Sequence, residues 1–301
     1  MRVLLTGASG FAGSQALTSL ILSGAEVHAV SRRRPDANGD FVWHQVDLLV
    51  PGAASAVMDE VRPDCVLHLA WCVEHGKFWT DPKNADWGAA TLALAHAALS
   101  TGAKRFVCVG TCYEYDWPDE APCDEVTTPL RSHTLYDETK INAHLALKGL
   151  FDKSDVALAW ARLFFLYGPN ENPGRLVSSV ARALVQGEEA LCSAGLAVRD
   201  FMDVRDAGAA LSALSLSAVS GSVNIASGEG VTVADLVQTL GRLAGRPDLV
   251  RLGALPDRTG EPPHIVAVTR RLHDEVGFRP VRDLDTGLRD ALAFWADKAE
   301  R

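Results

Sequence analysis

The stretch Thr6-Gly7-Ala8-Ser9-Gly10-Phe11-Ala12-Gly13 limits what this chain can fold into more than any other part of it. It follows the apolar run Val3-Leu4-Leu5 and precedes a run with helical character, residues 14–22. A strand, a glycine-rich turn and a helix, in that order, place backbone N–H groups at a helix N-terminus, where they bind phosphate. Gly7 suits a tight turn after the strand. Gly10 lets the backbone approach a pyrophosphate, and Gly13 lets the helix pack close to a sheet. The N-terminal half is therefore expected to hold a dinucleotide, with Ser9, Phe11 and Ala12 completing the phosphate loop.

The pattern beyond the turn agrees. Strand candidates lie at 3–6, 26–30, 41–46, 65–69 and 105–110, with a sixth at 156–163. Helical stretches lie at about 14–22, 52–61, 84–101 and 134–150. Strands alternating with helices argue for βαβ units and a parallel sheet. The strands are short continuous apolar runs, as expected when helices cover both sheet faces. After Tyr167-Gly168-Pro169 the pattern becomes irregular, with helix candidates at 176–186, 233–243 and 284–298. A strand candidate at 221–226 is expected to return to the main sheet. The expected architecture is α/β, a doubly wound parallel sheet with a smaller mixed α/β substrate-binding lobe. The dinucleotide-binding domain would span 1–167, with about 202–227 returning to it, and the lobe about 168–201 and 228–301.

Composition narrows the function classes. The chain has 301 residues, of which 48% are hydrophobic, so it can bury a substantial core. A formal net charge of -9 argues against a nucleic-acid surface. No run approaches the roughly 18–20 apolar residues that span a bilayer, and no basic leader precedes the first strand, so no membrane association is expected. The six cysteines are scattered, which reads as reduced thiols in a cytoplasmic protein. Without CxxC or HExxH, no metal site is expected.

The second strand candidate ends in Ser31-Arg32-Arg33-Arg34. A site for NAD usually carries an acidic residue here to hold the ribose 2′-hydroxyl. This chain offers a hydroxyl, Ser31, and two cations, Arg32 and Arg33, which suit the 2′-phosphate of NADP. NADP(H) is expected in preference to NAD(H). Asp47 and Leu48 would lie near the adenine. Leu69, Ala70 and Trp71 end the fourth strand and would lie beside the cofactor.

Tyr136-Asp137-Glu138-Thr139-Lys140 puts a phenol and an ammonium four residues apart, on one face of a helix. The lysine charge is expected to lower the tyrosine pKa and fit Tyr136 for proton transfer. Thr111 ends the fifth strand, where its hydroxyl can bond the same substrate oxygen. Together these residues resemble an extended short-chain dehydrogenase/reductase of the NAD(P)-dependent epimerase/dehydratase group, which acts mostly on nucleotide sugars. Thr6 to Gly13 resembles its TGxxGxxG fingerprint, Tyr136 and Lys140 its YxxxK pair, and Thr111 its Ser/Thr position. The segments Arg162 to Pro169, Arg199 to Asp206 and Asn224 to Gly228 resemble its RxFNxYGP, RDFxxVxD and NxxxG motifs. The resemblance implies a Rossmann fold and hydride transfer between a nicotinamide and a sugar carbon. It implies that Tyr136 moves the proton and that Lys140 holds the ribose hydroxyls. It also implies that Arg199 and Arg258 grip the substrate diphosphate, and that two Ala-rich helices, with Ala89, Ala90, Ala93, Ala97 and Ala143, pair in a homodimer.

The reaction is less constrained. The group's 4,6-dehydratases carry Asp-Glu directly after the Ser/Thr, and here Cys112 and Tyr113 stand there instead, which disfavours dehydration. The basic tip at Ser31 to Arg33 tilts toward NADPH-dependent reduction of a 4-keto-6-deoxy sugar. The alternatives are a nucleotide-sugar epimerase that recycles its cofactor, and a dinucleotide sensor on the same fold. Cys112 and Tyr113 are candidate auxiliary acid–base groups, although a packed cysteine is the simpler reading of Cys112. Phe165 replaces the group's Asn near the diphosphate. Residues 71–87, with Glu74, His75, Lys77 and Trp79, have no assigned role.

Overall fold

The computed structural model describes residues 1–117, 120–257, 260 and 262–300. The first half alternates as its sequence predicts. It runs β1 (Arg2–Thr6), α1 (Phe11–Leu22), β2 (Glu26–Ser31), β3 (Val42–Gln45), α2 (Ala53–Val61) and β4 (Cys65–His68). Then come α3 (Lys83–Thr101), β5 (Arg105–Thr111), α4 (Leu135–Phe151) and β6 (Ala157–Leu163). The second half holds β7 (Phe165–Tyr167), α5 (Leu176–Gln186), β8 (Ala190–Leu191), β9 (Val198–Asp203), α6 (Val204–Leu216) and β10 (Gly221–Ile225). It ends with β11 (Gly230–Thr232), α7 (Val233–Leu243), β12 (Val250–Arg251), β13 (His264–Ile265) and α8 (Leu284–Ala299).

The main sheet has the order β10-β6-β5-β4-β1-β2-β3 and every pairing in it is parallel. The strand order reverses beside β1, which makes a crevice at the carboxyl ends of the strands. Period-two alternation sorts β1 between two cores. Val3 and Leu5 face α1 and α6, in a cluster with Leu17, Leu20 and Leu211. Leu4 faces the opposite way, toward Val66, Leu94, Phe106 and Leu147. Burying each such side chain stabilises the fold by about 1.5–3 kcal/mol. The two helices on the first face approach closely, because a Cβ on Gly208 would lie 2.5 Å from the Gln15 carbonyl carbon.

A second sheet, with β9 flanked by β7, β11 and β13, carries the irregular half. Against it α5, α7 and α8 close a third core around Leu184, Leu236, Leu240, Leu288 and Trp295. A fourth cluster, with Cys112, Tyr115, Cys123, Phe164 and Ile265, fills the corner where the two sheets meet. That corner is where β5 ends.

Candidate active site

The glycine turn is built as a cradle. Gly7 sits at φ +71°, a region that favours glycine, and a Cβ there would lie 2.8 Å from the Ala70 amide nitrogen. A Cβ on Gly13 would collide with the Gly7 carbonyl oxygen at 2.1 Å. The N-cap of α1 is Gly10, no side chain caps it, and the first turn carries no acidic residue. The amides of that turn thus present positive charge without a protein counter-group, which fits a pyrophosphate.

A buried relay fixes the neighbouring strand tip. The Thr6 hydroxyl accepts from the Leu69 and Ala70 amides, both at 3.2 Å, and donates to His68 Nδ1 at 2.7 Å. His68 Nε2 then donates to the Thr91 hydroxyl at 2.9 Å, which donates to the Trp87 carbonyl at 2.8 Å. This order of donors requires the neutral ring protonated at Nε2. Burial, helped by the Lys140 charge, pushes His68 down to about 3.

The tip of β2 is expected to hold the adenosine. Arg32 and Arg33 are exposed at the β2 tip. The Ser31 hydroxyl donates to the Arg33 carbonyl at 2.6 Å and accepts from Trp43 Nε1 at 3.2 Å. Its one proton holds the turn. Asp47 accepts from the Leu49 amide at 3.1 Å, and Leu48 is buried against the sheet.

At the end of β5, the three residues expected to do the chemistry come together. Thr111 caps the turn Cys112–Glu114, in which its hydroxyl accepts from the Tyr113 amide at 3.3 Å. A Thr134 and Asp137 capping box starts α4 just ahead of Tyr136. A side-chain hydrogen bond with Thr111 favours the Tyr136 phenolate, but burial, followed by the Glu114 charge, dominates and raises the phenol pKa. The expectation that Lys140 would lower it is corrected here. Tyr136 is 9% exposed, and the desolvation of a buried anion outweighs the favourable contacts. Lys140 has also been desolvated, and burial takes its ammonium down to about 8. Its Nζ donates to the Val109 carbonyl at 2.8 Å.

The corner that carries Thr111 is fixed by charge. Glu114 is fully buried and accepts from the Thr111 amide at 2.8 Å, from Trp160 Nε1 at 2.9 Å and from Arg162 Nε at 2.8 Å. Gly110 leaves room for this, since a Cβ there would lie 2.3 Å from the Glu114 carboxylate. Arg162 also donates to the Tyr115 hydroxyl at 3.2 Å, which donates to Asn224 Oδ1 at 2.7 Å. The segments around Arg162 and Asn224 therefore converge on one buried network. Sequence reading missed Glu114. The available signal was a carboxylate at the end of an apolar strand.

Residues 71–87 gain a place. The Tyr136 amide donates to the Trp79 carbonyl at 3.1 Å. The Phe78 and Trp79 rings stand edge-on to Tyr136 at 4.9 and 5.9 Å, and Trp79 meets Tyr113 at 4.7 Å. The aromatic wall continues from Tyr113 to Phe165 at 6.1 Å, and the Arg199 guanidinium lies 5.5 Å from that ring. Arg199 is buried and donates to the Val198 carbonyl at 2.9 Å. Phe165 thus gives the arginine a face to stack on where an Asn is usual. Glu74 pairs with Lys77 on the surface, and His133 stacks on Trp117 at 4.0 Å. Cys112 is 2% exposed, and burial pushes its thiol well above the usual range. Arg258 lies outside the described residues. Among the described residues, no group of His, Cys, Asp or Glu could hold a metal ion, and no helix is long and apolar enough to cross a membrane.

The model of the NAD dependent epimerase/dehydratase family matches residues 3–226. The chain belongs to that family. It is 26% identical over 328 residues to a UDP-glucose 4-epimerase of Corynebacterium glutamicum, covering 100% of this chain and 98% of that one. It is 26% identical over 314 residues to UDP-glucuronic acid decarboxylase 1 of Danio rerio, covering 99% and 73%. Among solved structures, MoeE5 in complex with UDP-glucose and NAD superposes with a TM-score of 0.83 at 28% identity, covering 100% of both chains. The chain is thus a nucleotide-sugar enzyme of the extended short-chain dehydrogenase/reductase type.

Proposed function

We propose that this protein is a nucleotide-sugar epimerase that oxidises a sugar carbinol, then reduces it on the opposite face, and retains its dinucleotide throughout. The observation that supports it is the placing of Thr111 and Tyr136 together at the carboxyl end of β5, in a chain similar over its full length to a UDP-glucose 4-epimerase. The nicotinamide supplies the hydride acceptor and donor. Tyr136, deprotonated once substrate and dinucleotide are bound, takes the carbinol proton at its phenolate oxygen and later returns it. Thr111 bonds the same substrate oxygen. Lys140 holds the ribose hydroxyls, and Thr111, through its hydrogen bond, favours the phenolate. Tyr113 remains a candidate auxiliary base. Arg199, with Arg258, grips the diphosphate, and the lobe at about 168–201 and 228–301 holds the nucleotide.

The dinucleotide would lie on Gly7, Ser9, Gly10, Phe11 and Ala12, with its adenosine toward Arg32, Arg33, Asp47 and Leu48 and its nicotinamide toward Leu69, Ala70 and Trp71. MoeE5 was solved with NAD. A preference for NADP(H) rests on Arg32 and Arg33 alone, since the Ser31 proton is committed. That basic tip is also what favours the second reading, NADPH-dependent reduction of a 4-keto-6-deoxy nucleotide sugar.

We also propose a homodimer through α3 and α4. Ala89 and Ala93 are exposed on α3, and Leu145 is 56% exposed on α4. Ala90, Ala97 and Ala143 instead pack inside the protomer. All six cysteines are free thiols, in keeping with a cytoplasmic setting. The test of the reaction is to incubate the protein with NAD⁺ and a panel of nucleotide sugars, and with NADPH and their 4-keto forms, and to follow both the sugar and the cofactor absorbance. A changed sugar without net turnover of cofactor supports the epimerase. Net oxidation of NADPH supports the reductase instead.

A further inference from the structure

We propose that Trp71 is a positioning residue for Lys140, holding the lysine ammonium between its indole face and the Val109 carbonyl. The Lys140 nitrogen stands 3.5 Å from the centroid of the Trp71 ring. A cation over an indole face is attracted by the ring quadrupole, and most strongly where water is excluded. Lys140 is 4% exposed. The ring is itself held in place. Its indole N–H donates to Asn84 Oδ1 at 2.8 Å, and Asn84 is fully buried, with its amide donating to the Phe78 and Asp81 carbonyls at 2.7 and 2.9 Å. Trp87 stacks behind it at 6.4 Å. Asn84 thus ties the ring under Lys140 to the segment whose Phe78 and Trp79 border Tyr136.

Besides Tyr136, one turn before it on α4, four titratable groups among the described residues face the lysine. They are His68 from β4, Cys72 from the segment after it, Cys108 from β5 and Glu114 from the turn that follows. His68 is neutral near pH 7, and burial raises the thiols of Cys72 and Cys108. The carboxylate of Glu114 is already engaged by Arg162. Trp71 therefore supplies local support for the ammonium against burial. Loss of the ring should move the lysine further down, by about one pH unit.

The weight of this in turnover rests on the role proposed above for Lys140, but its physical content can be measured without substrate. Tryptophan emission of the full-length protein is titrated from pH 6 to 10, and the Trp71→Phe difference isolates Trp71 among the seven tryptophans. The expected result is a transition in Trp71 emission near pH 8 that disappears in Lys140→Met. A transition that survives Lys140→Met would overturn the proposal. A second arm follows NAD⁺ affinity against pH by calorimetry. In Trp71→Leu the fall in affinity should move about one unit to lower pH, and Trp71→Phe, which keeps a π face, should restore most of it. Coincident profiles for wild type and Trp71→Leu, or equal shifts in the two variants, would contradict it. Absence of NAD⁺ binding in the wild type would count against the dinucleotide reading, and the emission titration would then decide on Trp71.

Discussion

Lys140 keeps its ammonium in a site that excludes most water, and Tyr136 beside it keeps its proton. Burial disfavours both charged forms, so the resting pair is a cation and a neutral phenol. The pair is poised for proton transfer only once a substrate oxygen and a dinucleotide change the local field. Lys140 titrates at about 8, and its proposed role needs the charged form. Activity should therefore hold below that pH and fall as pH rises through it, which a pH profile of kcat/KM would reveal. Lys140→Arg should move that limb out of range. Tyr136→Phe should reduce kcat by roughly 10²–10⁴-fold, the usual worth of a positioned proton donor. Near-wild-type turnover in that variant would refute the assignment. These two residues were legible in the sequence because four residues is one helical turn. The sign of the tyrosine shift was not legible, because it depends on Phe78 and Trp79, almost 60 residues upstream.

At the level of elements, the end of β5 is held by a buried ion pair rather than by apolar packing alone. Breaking such a pair leaves an uncompensated charge and costs about 3–5 kcal/mol. Arg162→Leu should lower stability by about that amount in denaturant unfolding, and Glu114→Gln by no less, because it leaves the buried Arg162 guanidinium without a counter-charge. The tip of β4 has a different sensitivity. His68 is held neutral with a folded value of about 3, well below its unfolded one, and His144 is likewise down at about 4. Each contributes stability that is present above the unfolded value, near 6.5, and is lost as pH falls through the folded value. Stability should thus fall between pH 6.5 and 4, and His68→Gln should flatten that slope in thermal melts. The glycine turn and the alternating elements were legible because each follows from local backbone geometry. Helix α6 was not. It is Ala-rich, with Ala207, Ala210, Leu211 and Leu214 fully buried, and offers no clear polar stripe. The strands of the second sheet, several of only two or three residues, carry too little period to read.

In the whole molecule, two sheets meet at the corner that holds Thr111, and the aromatic wall leads from Tyr136 to Arg199. Alanine on α3 could be read as either a packing or a pairing residue, and the fold divides it between the two. Ala90 and Ala97 turn inward, whereas Ala89 and Ala93 face out. Light scattering at micromolar concentration should give twice the 32.2 kDa chain mass, and Leu145→Glu should shift it toward the monomer. A wild-type monomer would refute the pairing. The central claim, inversion at a sugar carbon with a retained dinucleotide, is tested most directly by NMR on UDP- and dTDP-hexoses labelled with deuterium at C4. The account predicts that one of them inverts at C4 and keeps its deuterium, with no net change in cofactor absorbance. Deuterium passing to free cofactor, or no inversion in any of them, would contradict it.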